Sequence, residues 1–161
     1  MPTPAYAKIK ILGKDVAGSV EIAGRENSME IVEFNYGVRS PVDPLSARTT
    51  GPRVHDTVTF VKEFDKASPL LFKACVNSEI VDELVIVWYT IDALTGTEIP
   101  YFRHTLENCR IVGYEPYMKN AKDPRFANET HLEKISLLFQ TITLLFEDGG
   151  LEHTDDWLAA H

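Results

Sequence analysis

Residues 84–89 read Leu84-Val85-Ile86-Val87-Trp88-Tyr89, and every one of these side chains is apolar or aromatic. Such residues favour extended backbone, in which neighbouring side chains point to opposite faces of a sheet. Alternate residues from Leu84 therefore share one face, and alternate residues from Val85 share the other. An antiparallel sheet usually buries one face and leaves the other in water. When a strand is apolar on both faces, its second face must also be shielded from water, either by another part of the chain or by another molecule.

Alternation of apolar and polar residues predicts strands along most of the chain. In Glu30–Arg39, the side predicted to face the core carries Val32, Phe34, Tyr36 and Val38. The other predicted strands are Ala5–Leu12, Ser19–Ala23, Val54–Phe64, Leu84–Ile91, Glu98–Leu106, Cys109–Tyr114 and Leu132–Glu147. The pattern therefore predicts a mainly β fold.

One helix is predicted among these strands. Ser68-Pro69 supplies an N-cap and a first-turn proline, and Asn77 provides a plausible end. Between them, the residues that fall on one face at helical spacing are Leu70, Leu71, Ala74 and Cys75. We expect this helix to lie across the side of a barrel or sandwich.

The composition excludes several classes of partner. The chain has 161 residues, a formal net charge of -8 and a pI of about 5.1. Binding to nucleic acid or to an anionic membrane surface needs a basic footprint, so neither is expected. The 84–88 run is too short to cross a bilayer, so no membrane insertion is expected. The N-terminus lacks the pattern of a secretory signal, which predicts folding in the cytoplasm and, if the protein is exported, a route without a leader.

No motif for catalysis or for a cofactor is present. The sequence contains no phosphate-binding glycine loop, no paired-histidine zinc motif and no nucleophile elbow. The two cysteines, Cys75 and Cys109, have apolar neighbours and are expected to be buried thiols. We therefore expect a protein that is not an enzyme and that uses no cofactor or metal.

Assembly with further copies is the hypothesis that the doubly apolar strands favour. Leu132–Phe146 repeats the pattern of 84–89 over part of its length. One helix can cover only part of this area, and monomers rarely expose large apolar patches. Another copy of the chain would provide the cover. The alternative is a two-sheet sandwich whose central strands are packed on both sides.

Two segments are predicted to be loops, 40–53 and 115–130, the second with Pro116 and Pro124, and a third segment forms the C-terminal tail. The loop at 40–53 contains three prolines and a glycine, and it is long for a connection in a compact domain. The segment at 148–161 is an acidic C-terminal tail. No repeat and no second domain are evident, so residues 1–161 are predicted to form one domain.

Six stretches, in this order along the chain, resemble the haemolysin-coregulated protein (Hcp) family of the bacterial type VI secretion system. They are Met1-Pro2-Thr3-Pro4, Pro41-Val42-Asp43-Pro44 with Arg53-Val54-His55, Phe64-Asp65-Lys66-Ala67-Ser68-Pro69-Leu70-Leu71, Val87-Trp88-Tyr89, Ile135-Ser136-Leu137 and Asp155-Asp156-Trp157. The chain departs from the family pattern at Leu45-Ser46-Ala47 and at Thr143-Leu144-Leu145-Phe146.

The resemblance implies a β-barrel-like domain of two antiparallel sheets with one lateral α-helix. It also implies a structural subunit of the inner tube, in which six copies form a ring and rings stack inside a contractile sheath. The implied partners are further copies, sheath and spike proteins, and effector proteins in the lumen. Export would follow by the type VI system without a signal peptide.

The loop at 40–53 is predicted to make the contacts between rings. The residues expected to shape or line it are Pro41, Asp43, Pro44, Arg48, Arg53 and His55. Two other functions stay open at this point: a phage-type tail-tube protein, and a ligand-binding β-barrel whose interior lines a pocket.

Overall fold

The computed structural model describes residues 3–159. Its strands are β1 Ala5–Ile11, β2 Lys14–Val16, β3 Met29–Asn35, β4 Val38–Arg39, β5 Val42–Asp43, β6 Arg48–Thr49, β7 Val54–His55, β8 Val58–Glu63, β9 Ile80–Ile91, β10 Glu98–Tyr117, β11 Leu132–Leu138, β12 Thr141–Phe146 and β13 Leu151–Asp156. The α-helix α1 spans Ser68–Val76, and a 3-10 turn spans Pro124–Phe126.

Six antiparallel strands close into a barrel. Their order is β11-β8-β3-β1-β9-β10, and β10 pairs back with β11 to complete the circuit. Strand β10 is long enough to pair with β12 along residues 102–107 and with β11 along 110–117. Strands β12 and β13 therefore continue the sheet beyond the barrel. The predicted fold class, a mainly β, barrel-like body with one lateral helix, is confirmed.

Apolar side chains fill the barrel interior. Phe60, Leu84, Ile86, Leu106 and Ile135 have no solvent-exposed surface. Burial of such side chains stabilises a fold by about 1.5–3 kcal/mol each. Because side chains occupy this space, the barrel has a packed core, and the filled interior argues against a ligand-binding barrel.

A buried polar cluster fixes helix α1 to the barrel. Lys62 Nζ lies 2.5 Å from Glu133 Oε1, and both side chains are almost fully buried. The Ser68 hydroxyl, in the first turn of the helix, donates to the same carboxylate at 2.7 Å, and the Tyr114 hydroxyl donates to its other oxygen. Ser68 is thus the first helical residue, and the N-cap is Ala67, which makes no side-chain cap. The prediction of Ser68 as N-cap was wrong because its hydroxyl is engaged by Glu133.

The pairing of β3 with β8 corrects one predicted face. The register shifts between Ile31 and Glu33, which marks a β-bulge. A bulge inserts an extra residue and reverses the side to which the following side chains point. Ile31, before the bulge, is buried, and Val32 next to it points outward and is 51% exposed. Val32 was predicted to face the core together with Phe34, but the extra residue lets Phe34 pack against the core while Val32 does not.

Three predicted strand boundaries also differ. Residues 19–23 form no strand but belong to an irregular arm at 17–28. Leu132–Glu147 is two strands, because the chain turns at Phe139 and Gln140. The two strands predicted over 98–114 are one continuous strand, β10. In residues 148–161, β13 pairs with β12, and Ala160 and His161 lie outside the described residues.

Both cysteines are free thiols. Cys109 is buried, as predicted, and burial raises the pKa of its thiol to about 12. Cys75 is only half-buried. Within residues 3–159, no helix has the length and apolar character needed to cross a bilayer.

Candidate assembly surfaces

The long loop between β3 and β8 contains two short antiparallel ladders. Strands β4 and β7 form its base, and strands β5 and β6 form a hairpin further out. The Asp43 carboxylate accepts hydrogen bonds from the Leu45 amide at 3.0 Å and from the Ser46 hydroxyl at 2.7 Å. The Ser46 hydroxyl and the Leu45 amide lower the pKa of Asp43. The loop tip is therefore an ordered turn.

The hairpin presents one apolar and one basic side chain to solvent. Leu45 is 96% exposed at the tip. Arg48 is exposed on β6, and among residues 3–159 its side chain has no hydrogen-bond or ion-pair partner. Pro41 and Pro44 flank β5 and restrict its backbone. Four of the six predicted loop residues thus lie on this projecting hairpin: Pro41, Asp43, Pro44 and Arg48.

The other two, Arg53 and His55, lie at the loop base and bind the C-terminal strand β13. Arg53 makes two hydrogen bonds to the Asp155 carboxylate, each of 2.9 Å. It also donates to the backbone carbonyls of Asp156 and Ala159. The Arg53 guanidinium is therefore occupied within its own chain, and Arg53 shapes the loop at its base.

His55 is buried beside this ion pair. Its Nε2 atom lies 2.7 Å from Asp155 Oδ2, and its Nδ1 atom lies 2.7 Å from the Tyr36 hydroxyl. The imidazole also contacts the rings of Phe139 and Trp157. Because its side chain is buried, His55 cannot contact a second copy of the chain directly. It supports the base of the loop instead. We call Tyr36, Arg53, His55 and Asp155 the loop anchor.

A second surface lies where the sheet continues beyond the barrel. Phe102 is paired with Trp88 on one side and with Phe146 on the other, and His104 is paired with Leu144 on the same face. The same face continues at Phe146 and Leu151, which are opposite one another on β12 and β13. Leu144, Phe146 and Leu151 are all exposed, Leu151 by 69%. We call this surface the projecting apolar face.

His104 in this face is held neutral. Burial lowers the pKa of its imidazole to about 4. The Trp88 indole donates a 2.8 Å hydrogen bond to His104 Nδ1, which therefore acts as an acceptor. The ring also contacts Phe34 and Phe102. A histidine thus contributes to an apolar surface without adding charge at neutral pH.

The outer face of β9 is covered in part by its own chain. Val85, Val87 and Tyr89 are half-buried rather than exposed. The Arg25 guanidinium lies 3.8 Å from the centre of the Tyr89 ring and is paired with Glu98 at 2.7 Å. The arm at 17–28 therefore supplies some of the cover for which the sequence suggested another copy. Across residues 3–159, no group of three or more acidic, histidine or cysteine side chains is arranged to hold a metal.

The fold and its surfaces define a class of protein: a barrel-like, mainly β protein with a lateral helix and a long anchored loop. The sequence profile of the family described as "Type VI secretion system effector, Hcp" matches residues 6–146. The chain therefore belongs to the Hcp family of the type VI secretion system.

Individual relatives agree with this membership. The chain is 37% identical to the "Major exported protein" of Pseudomonas aeruginosa, over 98% of this chain and 96% of that protein. Hcp1 from E. coli EAEC 042, solved as a double tryptophan mutant, superposes with a TM-score of 0.85 at 34% identity, covering 96% of this chain and 98% of that one. The secreted protein Hcp3 from P. aeruginosa gives 0.79 at 30% identity, covering 98% and 99%.

Proposed function

We propose that this chain is a structural subunit of the type VI secretion inner tube. Residues 1–161 form one tube-subunit domain, six copies close into a ring, and rings stack into a tube that is expelled. Effector proteins travel in the lumen, and the contractile sheath and the spike are the other partners. The chain waits in the cytoplasm before firing and leaves through the secretion machinery itself, without a signal peptide. Neither a cofactor nor a catalytic residue is needed for this role.

The observation that carries this proposal is the projecting apolar face. Phe146 on β12 is paired with Leu151, the first residue of β13. Strand β13 is the last strand of the main sheet and has one edge without a neighbour among the described residues. Natural proteins usually protect such edges with charges, bulges or covering segments. An apolar face next to an open edge is instead suited to contact with another copy.

The geometry of this contact favours a ring. We propose that the projecting apolar face contacts a different patch of the next copy. Contact between two different patches on identical subunits generates a closed ring when the rotation between neighbours closes. Family membership supports export, because two of the relatives described above are exported or secreted according to their names.

The loop at 40–53 is proposed to make the contacts between rings. Its hairpin projects from the barrel, and the turn around Asp43 keeps it ordered, so little entropy is lost when it binds. Arg53 and His55 contribute indirectly, since they set the direction in which the hairpin leaves the barrel.

Light scattering with negative-stain imaging of the same sample tests the ring. We expect six-fold particles from the unsubstituted chain and smaller species from Phe146→Asp, which would bury a charge in the contact. Leu12→Asp is the matched control, because Leu12 is an exposed leucine in the β1–β2 turn. The proposed function would be refuted if the unsubstituted chain remained monomeric across micromolar concentrations.

A further inference from the structure

An open cleft of about 300 Å³ lies at the end of the β3–β8 pair, away from the long loop. Its lining includes the apolar side chains of Ile22, Val32 and Phe64, each of which is close to half exposed. Its remaining side chains include four carboxylates and no lysine or arginine. The cleft is therefore both apolar and acidic.

Two backbone features build the cleft. Val32 lies at the bulge in β3 and points away from the core into the cleft. The arm at 17–28 lines the opposite side and is held close to the barrel at Gly18, where an added Cβ would lie 2.8 Å from the Cγ atom of Met29 in β3. The Ser19 hydroxyl accepts a 3.2 Å hydrogen bond from the Lys66 amide and fixes the arm to the segment before α1.

The acidic side chains of the cleft are mostly unpaired. Asp65 is bonded to Lys62 at 2.7 Å. Glu21, Glu30 and Glu63 are exposed, and within residues 3–159 none of the three has a salt bridge. A ligand that brings one cation beside a small apolar group would complement this lining.

The hairpin of the long loop has that combination of side chains. Leu45 at its tip is almost fully exposed, and Arg48 lies on the following strand. The one carboxylate in the hairpin, Asp43, is bonded within the turn. The tip therefore offers an apolar group and an unpaired guanidinium.

The hairpin and the cleft lie at opposite ends of one strand pair. The loop leaves β3 after Asn35 and enters β8 at Val58, whereas the cleft lies beside Glu30 and Glu63. The six residues of β8 separate the two ends by about 20 Å at roughly 3.3 Å per residue. One molecule thus carries the hairpin on one end and the cleft on the other, so copies can repeat the same contact in one direction without limit.

We propose that the acidic cleft receives the hairpin of a second copy in the next ring, with Leu45 against Val32 and Phe64 and with Arg48 among Glu21, Glu30 and Glu63. This inference rests on the proposed stacking function and deepens it, because it names the surface that the loop contacts. The proposed contact would also cover the side chain of Val32, which is otherwise exposed to water.

Cross-linking tests the assignment. In a background with Cys75 and Cys109 replaced by alanine, Leu45→Cys is combined with Phe64→Cys and the protein is oxidised at a concentration where tubes are visible. We expect a ladder of covalent multimers on denaturing gels. The control pair is Leu45→Cys with Leu94→Cys. Leu94 is as exposed as Leu45 but lies outside the cleft, so this pair should give no ladder.

Charge reversal provides a second measurement that needs no cysteines. Arg48→Glu should abolish stacked tubes while rings persist, and combining it with Glu63→Arg should restore them. Tubes that form without the ladder and without sensitivity to Arg48→Glu would overturn the cleft assignment but leave the ring intact. Failure of the unsubstituted chain to form rings would instead refute the proposed function on which the assignment depends.

Discussion

Asp155 shows how a single carboxylate can hold a long loop in place. It accepts hydrogen bonds from Arg53 and lies within hydrogen-bond distance of His55. Because Asp155 and the two loop residues are only partly exposed or buried, their interactions are less screened than those of a surface pair. The sequence could not predict this contact, since Arg53 and Asp155 are 102 residues apart.

Asp155→Asn tests the loop anchor. The change removes the negative charge opposite the Arg53 guanidinium, and we expect the free energy of unfolding to fall by about 1–3 kcal/mol. Limited proteolysis within 40–53 should also become faster. Asp148→Asn, in the turn before β13, is the control and should change neither property. An unchanged urea midpoint together with unchanged proteolysis would show that the anchor does not restrain the loop.

His104 should make stability depend on pH. Its pKa of about 4 in the folded chain lies below its ordinary value of 6.5, so the unfolded chain binds a proton more readily between these values. The free energy of unfolding should therefore fall as the pH decreases from about 6.5 to 4, by at most about 3 kcal/mol. Urea titrations at pH 7 and pH 4.5 measure the change, and His104→Phe should reduce it. An equal pH dependence in the variant would assign the effect to other groups.

At the level of elements, helix α1 joins the barrel through two kinds of contact. Leu71 and Ala74 are fully buried on its inner face. The Lys62–Glu133 pair and Ser68 hold its first turn. The spacing of apolar residues predicted Leu71 and Ala74 on this face. It also placed Leu70 and Cys75 there, but Leu70 is 44% exposed and Cys75 is only half-buried. The polar contacts were not predictable, because nothing in the local pattern distinguishes a buried Glu133 from a solvated one.

Leu71→Ala tests the helix face. Removing a fully buried leucine side chain leaves a cavity, and such changes typically lower the free energy of unfolding by about 2–5 kcal/mol. Leu70→Ala is the matched control, since the adjacent leucine is exposed and should have little effect. Thermal or urea unfolding measures both. Equal losses in the two variants would mean that the helix packs on a different face.

The loop hairpin can be removed without disturbing its base. Replacing residues 42–49 by a short glycine-serine link keeps the β4–β7 ladder and the loop anchor. We expect rings of normal mass by light scattering but loss of stacked tubes and of secretion. A shortened chain that still supports secretion at the normal level would show that the hairpin has no role in stacking.

The strands themselves were largely predictable, and their irregularities were not. Alternation identified β1, β3 and β8 because their inward residues recur at every second position, and apolar runs identified β9 and β11. Alternation placed Val32 on the wrong side because a bulge inserts a residue without a local signal. The turn at Phe139 and Gln140 was missed because it contains neither glycine nor proline and has apolar residues on both sides. The residues that shape the loop and the cleft depend on such long-range pairings.

For the whole molecule, charge opposes assembly while the apolar face favours it. Each copy carries a formal net charge of -8, so six copies in the proposed ring would repel one another. Salt screens this repulsion: the Debye length falls from about 30 Å at 0.01 M to about 10 Å at 0.1 M. Apolar contact is not weakened by such screening.

Ring formation should therefore tighten as salt is added. We expect a larger hexamer fraction by light scattering at about 0.1 M than at about 0.01 M sodium chloride, at equal protein concentration. A hexamer fraction that falls with added salt would indicate that ion pairs, and not the projecting apolar face, hold the ring together.

The loop anchor has a consequence for protein synthesis. The ribosome makes the hairpin about a hundred residues before it makes Asp155, the partner that directs the hairpin outward. A nascent chain cut short before that residue carries the hairpin without its support. If the hairpin makes the contacts between rings, as proposed, incomplete translation products are expected to be unable to add to a tube. The order of synthesis would then exclude truncated subunits from the assembly.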